Sequence, residues 1–217
     1  MPYILRGDGV DDLVTTGDIG TALDFDAEIK CTYRSIQSSY RAVFGGYKGG
    51  QPDRWCVGHA GGSWWMFLRG NHYISGTSVA VDTEYTIKIV RRGTSYELFV
   101  NGVSVLTATN SGILYPISSI FAAGDGGAFK SEIDLEYFSY TDINTPANNQ
   151  YFDASGTSSG LVLPETTGNG VDGNLVGFPT DNSQWVFVAG TSTLPTPINL
   201  SISNIRANSV RLNWGQG

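Results

Sequence analysis

Three carboxylates alternate along one short segment, Glu132-Ile133-Asp134-Leu135-Glu136. If this segment is a β-strand, alternate residues share one face, so the carboxylates would line a single cleft. Crowded carboxylates raise one another's pKa, and one of them could then donate a proton. Two such carboxyls about 5–5.5 Å apart would suit retaining hydrolysis of a glycosidic bond. The competing interpretation is that Ile133, Leu135 and Tyr137 face inward and that the acidic row faces water.

Aromatic side chains beside polar groups could bind sugars, because a ring stacks on the apolar face of a sugar. The densest such segment begins at Arg54 and ends at Arg69. A strand at its end would place two sets of residues on opposite faces, Trp64, Met66 and Leu68 on one and Trp65, Phe67 and Arg69 on the other. We expect the first set in the core and the second on a binding face, although core packing is the alternative for any tryptophan. The predicted ligand-binding residues are Trp55, His59, Trp65, Arg69 and Tyr73.

Aspartates close to glycines could hold a hard cation. Asp8, Asp11 and Asp12 lie in one glycine-containing segment, and Asp125 lies in the run GDGG. Carboxylate oxygens on flexible loops suit Ca²⁺, so these four residues are candidate calcium ligands. The alternative is that they form turns.

Histidine and cysteine are too scarce to suggest other chemistry. The only histidines, His59 and His72, cannot supply a zinc site by themselves, and no nucleophilic triad is evident. The two cysteines, Cys31 and Cys56, are too few for a disulfide framework. We expect both to be free, buried strand residues.

The elements that must position these groups are predicted to be strands. Short runs of β-branched and aromatic residues recur at intervals of roughly 8–12 residues, separated by Gly, Asn and Asp. The run Glu84–Arg91 alternates, and Asn101-Gly102 predicts a hairpin turn because both residues tolerate positive φ. The sequence therefore predicts an all-β fold, an antiparallel β-sandwich of the jelly-roll kind.

Charge and hydropathy exclude two classes of partner. The formal net charge is −7, and no basic run is present, so the chain should repel a phosphate backbone and nucleic acid is discounted. No apolar stretch is long enough to span a membrane. The start MPYILRGDGVDD lacks the basic and apolar regions of a signal peptide. A charged fraction of only 15% with 28 glycines still favours an extracellular or virion protein.

Three segments, Ile4–Val14, Glu84–Val105 and Phe129–Asp142, carry a family resemblance when taken in order. They are similar to the opening strand, central hairpin and closing strand of laminin-G-like domains, which have a concanavalin A-like lectin fold. Gly7 replaces the aromatic that usually stands in the opening strand. The resemblance implies a sandwich over residues 1–142, and it implies calcium on the rim of that sandwich.

The composition changes after Tyr140. Residues 143–190 are rich in Asn, Gly, Ser and Thr and resemble the polar appendage that follows such domains in phage tail proteins, with one strand around Trp185. Residues 191–217 resemble a linker and the first strands of a fibronectin type III domain, with Trp214 at its core tryptophan. So short a fragment cannot bury its own inner face, and we expect these strands to seek a partner, including a second copy of the chain.

The acidic segment at Glu132–Glu136 also resembles the catalytic strand of family 16 glycoside hydrolases. There the first Glu is the nucleophile, the Asp orients it and the last Glu is the acid/base. That strand lies mid-domain in the enzymes, whereas here it nearly ends the predicted sandwich. We therefore expect a non-catalytic, lectin-like module that binds a polysaccharide or cell-surface glycan. A glycoside hydrolase using Glu132, Asp134 and Glu136, and a structural spacer in a virion or surface protein, are the alternatives.

Overall fold

The computed structural model describes residues 3–20, 22–46, 53–112, 114–123 and 129–188, and the backbone of 201–202 and 212–213. The strands in chain order are β1 (Tyr3–Arg6), β2 (Leu13–Ile19), β3 (Asp24–Tyr33), β4 (Tyr40–Gly46), β5 (Trp55–Ala60), β6 (Ser63–Leu68), β7 (Asn71–Ser78), β8 (Glu84–Arg92), β9 (Ser95–Val100), β10 (Val103–Thr109), β11 (Ile117–Ile120), β12 (Ile133–Asp142), β13 (Gln150–Asp153), β14 (Val162–Leu163), β15 (Gly173–Val176), β16 (Trp185–Phe187), β17 (Ser201–Ile202) and β18 (Leu212–Asn213). A 3₁₀ turn at Pro146–Asn148 precedes β13.

Alternation of apolar and polar residues builds the long strands. Every second residue of β3 is buried, from Phe25 to Tyr33, and β8 repeats the pattern with Tyr85, Ile87 and Ile89. Successive side chains of a strand point to opposite faces, so each of these strands has one apolar and one polar face. The apolar faces enter the core.

The strands form two antiparallel sheets. The first sheet has the order β10-β9-β8-β3-β12-β1-β16, with β13 also paired to β12. The second sheet has the order β14-β15-β2-β11-β4-β5-β6-β7. One large cluster of buried apolar side chains draws on both sheets and includes the predicted core residues Trp64, Met66 and Leu68. The predicted antiparallel β-sandwich is therefore confirmed.

A β-bulge at Glu136 changes the phase of β12. Leu135 pairs with Cys31 of β3, but Tyr137 pairs with Lys30, so Glu136 is the extra residue. After the bulge the buried residues are Phe138 and Tyr140. The prediction that Tyr137 faces inward is thus wrong, because strict alternation does not survive an inserted residue.

Residues 143–188 contribute strands to both sheets. β13 pairs with β12 and β16 pairs with β1 in the first sheet, and β15 pairs with β2 in the second. Phe152, Leu163 and Trp185 from this segment are buried in the core. The predicted boundary at residue 142 therefore does not coincide with the end of either sheet, although a strand does begin at Trp185 as expected.

The predicted linker and fibronectin-like strands fall almost entirely outside the described residues. Within them, β17 and β18 pair antiparallel, with Ser201 opposite Asn213 and Ile202 opposite Leu212. Trp214 lies outside the described residues. The fibronectin type III assignment and self-association through these strands stay predictions.

The two cysteines are free and buried, as expected from their small number. Cys31 faces the core between the sheets, whereas Cys56 belongs to a second cluster on the outer face of the second sheet. Burial raises the pKa of both thiols, which keeps them protonated and unreactive. In the described part of the chain, no helix has the length and apolar character needed to cross a membrane.

Deleting residues 143–188 tests whether this segment belongs to the sandwich. Exposing Phe152, Leu163 and Trp185 at about 1.5–3 kcal/mol each removes a large share of a typical stability of about 5–15 kcal/mol. We expect a chain that ends at Asp142 to show no cooperative thermal transition by near-ultraviolet circular dichroism. A chain that ends at Val188 keeps every pairing of the two sheets and is the control. Cooperative unfolding of the shorter chain would show that 143–188 is dispensable.

Candidate functional site

Trp55, one of the predicted ligand-binding residues, is a core residue. Its ring packs between Phe25 and Phe44, and its Nε1–H donates to the backbone oxygen of Tyr115 over 2.7 Å. Trp55 is therefore unable to offer a free ring face to a sugar. The prediction is wrong because the side chain of Trp55 points to the inner face of its sheet, and the glycine-rich sequence before it does not show on which face the strand begins.

Trp65 faces outward, as expected, but it is covered. It belongs to a cluster on the outer face of the second sheet with Phe67 and Cys56, against which Tyr40 and Phe129 pack. The exposed fraction of Trp65 is 0%, and its indole N–H donates to Nδ1 of His72 over 3.1 Å. A ring in this state cannot stack on a sugar, so the outer face of the second sheet presents His72 and the half-buried Tyr40 instead.

His59 points into the sandwich rather than toward a ligand. It is buried beside Tyr33, whose ring lies 5.1 Å away in an edge-on arrangement. Its Nδ1 has no hydrogen-bond partner in the described part of the chain. Burial, and secondarily the charge of Arg41, lower the pKa of His59 to about 4.

The last two predicted ligand-binding residues, Tyr73 and Arg69, have different surroundings from the other three. Tyr73 is half-buried and lines a depression of about 540 Å³ together with Tyr96 and Thr107. Arg69 follows β6 with a φ of 49° and forms an ion pair with Asp53 at 3.0 Å. The five predicted residues therefore do not form one surface.

Two of the three carboxylates of the acidic row form ion pairs. Asp134 is only 7% exposed and accepts two hydrogen bonds from Arg6, at 2.7 and 2.8 Å, with Arg34 at 3.7 Å. Glu136 pairs with Lys30 at 2.8 Å. Two of the three carboxylates of the row are therefore engaged in ion pairs rather than free to contact a substrate.

The cleft beside this row also differs from a glycosidase groove. It measures about 480 Å³ and is lined by Ile4, Arg6, Cys31, Thr32, Arg34, Glu84, Asp134, Glu136, Val186, Phe187 and Val188. No tryptophan occurs among these described lining residues. Glu132 is half-buried just before β12. Because Glu136 is an inserted residue, the alternation of side chains before the bulge does not continue after it. The geometry gives the hydrolase alternative no support.

The predicted calcium ligands come together in part. Asp8, Asp11 and Asp12 each bring a carboxylate oxygen within 4.8 Å of the others. Asp12 is 3% exposed; its Oδ2 accepts the backbone N–H of Asp8 over 2.8 Å, and its Oδ1 has no partner within the described ranges. Burial raises the pKa of Asp12 to about 6, and the charges of Asp8 and Asp11 add to that rise. Asp125 lies outside the described residues.

The outer face of the first sheet carries an arrangement that the sequence did not suggest. Phe99 pairs with Lys88, Lys88 with Glu28, Glu28 with Ser139, and Ser139 with Tyr151. These five residues, the cross-strand row, lie side by side on five neighbouring strands, and all five are partly exposed. At about 4.8 Å per strand the row spans about 19 Å. Its ends are aromatic and its centre is polar.

Tyr137 fixes one end and the centre of the row. Tyr137 stacks on Tyr151 with ring centroids 5.4 Å apart, and its hydroxyl donates to Oε1 of Glu28 over 2.6 Å. Partial burial, followed by this hydrogen bond, raises the pKa of Tyr137, so the hydroxyl stays protonated and remains a donor. A depression of about 240 Å³ lies beside Phe99, Lys88 and Glu28.

Ion pairs hold the basic side chains of this face. Lys88 and Arg92 each contact Asp26 at 2.7 Å, and Lys30 bridges Glu136 at 2.8 Å and Glu84 at 3.3 Å. A charged group held in place loses little entropy when it binds a ligand. The face is thus polar and pre-organised rather than loosely solvated.

Comparison with known proteins places the fold but no family. No protein-family model and no curated protein matches the chain. The chain is similar to the structure of a Bacteroides ovatus protein provisionally described as carbohydrate-binding, at 10% identity and a TM-score of 0.60 over 80% of this chain. It spans 57% of the length of that protein. This similarity shows the sandwich fold alone.

Two further similarities are weaker. A heptameric pentraxin of Limulus polyphemus matches with 13% identity and a TM-score of 0.47 over 64% of this chain and 75% of its own. The module CBM40 of a Ruminococcus gnavus sialidase matches with 14% identity and a TM-score of 0.43 over 60% of this chain and 87% of its own. Neither bears on how this chain binds a ligand.

Burial of His59 predicts acid sensitivity. A base whose pKa is lowered on folding stabilises the fold above its unfolded pKa of about 6.5, and that contribution is lost as the pH falls through about 4. At about 1.4 kcal/mol per pKa unit this amounts to roughly 3 kcal/mol. We expect the free energy of unfolding of His59→Gln to fall less than that of the parent over this range, measured by urea denaturation. Equal pH slopes in the two proteins would contradict a desolvated histidine.

Proposed function

We propose that this chain is a non-catalytic carbohydrate-binding module that holds a polysaccharide across the outer face of its first sheet. The observation that carries the proposal is the cross-strand row, with Phe99 at one end, Tyr151 at the other and polar groups between them. Aromatic rings supply contact area at a low cost in conformational entropy. The polar centre supplies donors and acceptors for sugar hydroxyls.

The dimensions of the row favour an extended glycan over a single sugar. Its length of about 19 Å follows from the four spacings of about 4.8 Å between its five strands, which leaves room for more than one ring between the two aromatic ends. Glu28 can accept from hydroxyls, while Lys88 can donate to them, and charge-assisted hydrogen bonds of this kind are the strong ones. The stacked Tyr137 widens the aromatic end at Tyr151.

The setting that best suits this function is the outside of a cell or a virion. A charged fraction of 15% and abundant glycine support that setting, and the order of the laminin-G-like segments supports a lectin-type role. The alternative role as a structural spacer has no specific observation in its favour within the described residues.

Removing either aromatic end of the row should weaken binding. We expect Phe99→Ala and Tyr151→Ala each to lower the affinity for the bound polysaccharide about tenfold or more, because loss of a buried aromatic contact costs about 1.4 kcal/mol or more. Affinity electrophoresis against a panel of soluble polysaccharides identifies the ligand, and isothermal titration calorimetry measures the change.

Phe187→Ala is the matched control, since Phe187 is 45% exposed on the far edge strand β16 and lies off the row. Its affinity should equal that of the parent. If the parent binds no polysaccharide in the panel, or if the control loses as much affinity as the row variants, the proposed surface is incorrect.

A second proposal concerns Ca²⁺ at Asp8, Asp11 and Asp12. The three carboxylates fit a hard cation, because their oxygens converge and Oδ1 of the buried Asp12 has no donor in the described part of the chain. Ca²⁺ takes six to eight oxygen ligands, so waters would complete the shell. The ion would fix the loop between β1 and β2, adjacent to Arg6 and the ion pairs of the first sheet.

The calcium proposal predicts a change in thermal stability. A ligand at about 100 times its dissociation constant stabilises a fold by about 2.7 kcal/mol, so Ca²⁺ should raise the melting temperature of chelator-treated protein. Asp11→Asn should abolish the rise in melting temperature, because it removes one of the three converging carboxylates. Asp11 is exposed, so the substitution should leave the fold intact. Asp18→Asn removes an exposed carboxylate of β2 outside the cluster and should retain the rise. No rise in the parent, or an equal rise in Asp11→Asn, would disprove the site.

A further inference from the structure

We infer that the cross-strand row selects polysaccharides that carry no carboxylate or sulfate groups. This inference rests on the proposed function and adds the chemical class of the ligand. It follows from the way in which charges are paired on the outer face of the first sheet.

Every cation on the described part of this face already has a carboxylate partner. The five pairs are Arg6–Asp134, Arg34–Asp82, Lys30–Glu136, Lys88–Asp26 and Arg92–Asp26. An acidic sugar would have to separate one of these pairs to gain a counter-charge. A carboxylate separated from its only cation would then lie beside the incoming anion, so little net electrostatic energy would be gained. Asp26 differs, because both Lys88 and Arg92 contact it and it would keep one cation. The sign of the charge along the row therefore depends on the unpaired carboxylates close to it.

Among the carboxylates on the same face that have no cation within 4 Å in the described residues, three lie close to the row. Glu28 lies at the centre of the row and is bonded only by the hydroxyl of Tyr137. Glu97 and Asp153 lie on β9 and β13, the strands that carry the two ends of the row. Glu97 is two residues from Phe99, and Asp153 is two residues from Tyr151. The surface that meets a ligand along the row is therefore negative.

The size of this effect is enough to decide between ligand classes. Like charges a few ångströms apart repel, and the repulsion is several times stronger near a protein surface than in bulk water. An acidic group that passes over Glu28 would pay this cost, whereas a neutral hydroxyl would donate a hydrogen bond to the same carboxylate. Neutral glycans and glycans with free amines are accepted for the same reason.

Paired polysaccharides that share a backbone test the inference. Suitable pairs are hydroxyethyl cellulose with carboxymethyl cellulose, dextran with dextran sulfate, and methyl-esterified with de-esterified homogalacturonan. In whichever pair binds, we expect the uncharged member to bind at least about tenfold more tightly. Its affinity should change less than about twofold when the ionic strength is raised, because screening acts on charge pairs and not on neutral hydroxyls.

The outcomes separate the two proposals. Tighter binding of the acidic members, with an affinity that falls as salt is added, would overturn the inference and leave the proposed function standing. Absence of binding to every polysaccharide would overturn the proposed function, and the inference with it.

A pair of variants tests whether Glu28 is responsible for the discrimination against acidic polysaccharides. Glu28→Gln removes the central charge but keeps a hydrogen-bonding side chain, so the affinity for the acidic member should rise about fivefold or more relative to the neutral one. Asp18→Asn changes the net charge equally, but Asp18 lies on β2 of the second sheet. The ratio of the affinities for the acidic and the neutral polysaccharide should therefore stay at the parent value in Asp18→Asn. An unchanged ratio in Glu28→Gln would show that Glu28 does not exclude anions.

Discussion

The single inserted residue in β12 determines which groups the first sheet presents to solvent. Because Glu136 bulges out of the pairing with β3, Phe138 and Tyr140 turn into the core while Tyr137 and Ser139 turn outward. The outward pair then meets Glu28 on one side and Tyr151 on the other. Without the bulge, strict alternation would turn Tyr137 and Ser139 into the core and would expose Phe138 to solvent. A polar residue would then face the core of the sandwich.

The fold class was predictable from the sequence because strand periodicity is a local property. The alternation in Glu84–Arg92 and the hairpin at Asn101-Gly102 both appear as expected. The extent of the sandwich was not predictable, because residues 143–188 supply isolated core residues such as Phe152 and Trp185 on strands of only three or four residues. Such short strands carry too little periodicity to be recognised, and their pairing is wholly non-local.

The candidate site was harder to predict because binding surfaces depend on cross-strand register. Large aromatic side chains such as tryptophan are typical of sugar-binding surfaces, yet Trp55 and Trp65 are both buried. The residues of the row are far apart in sequence, from Glu28 to Tyr151, and only the register of five strands aligns them. The acidic segment at 132–136 lies mostly in β12, which begins at Ile133, but its charges can be interpreted only with Arg6 and Lys30 beside them.

The pairing of β1 with β16 also sets how the sandwich would respond to a pulling force. Tyr3 lies opposite Phe187 and Leu5 opposite Trp185, so the two strands that lead out of the sheet begin to separate at the same end. Tension applied at Tyr3 and Val188 would load their hydrogen bonds one after another, in the manner of a zipper, rather than all at once in shear. The sandwich would therefore yield at this edge first, while the strands that carry the row remain paired.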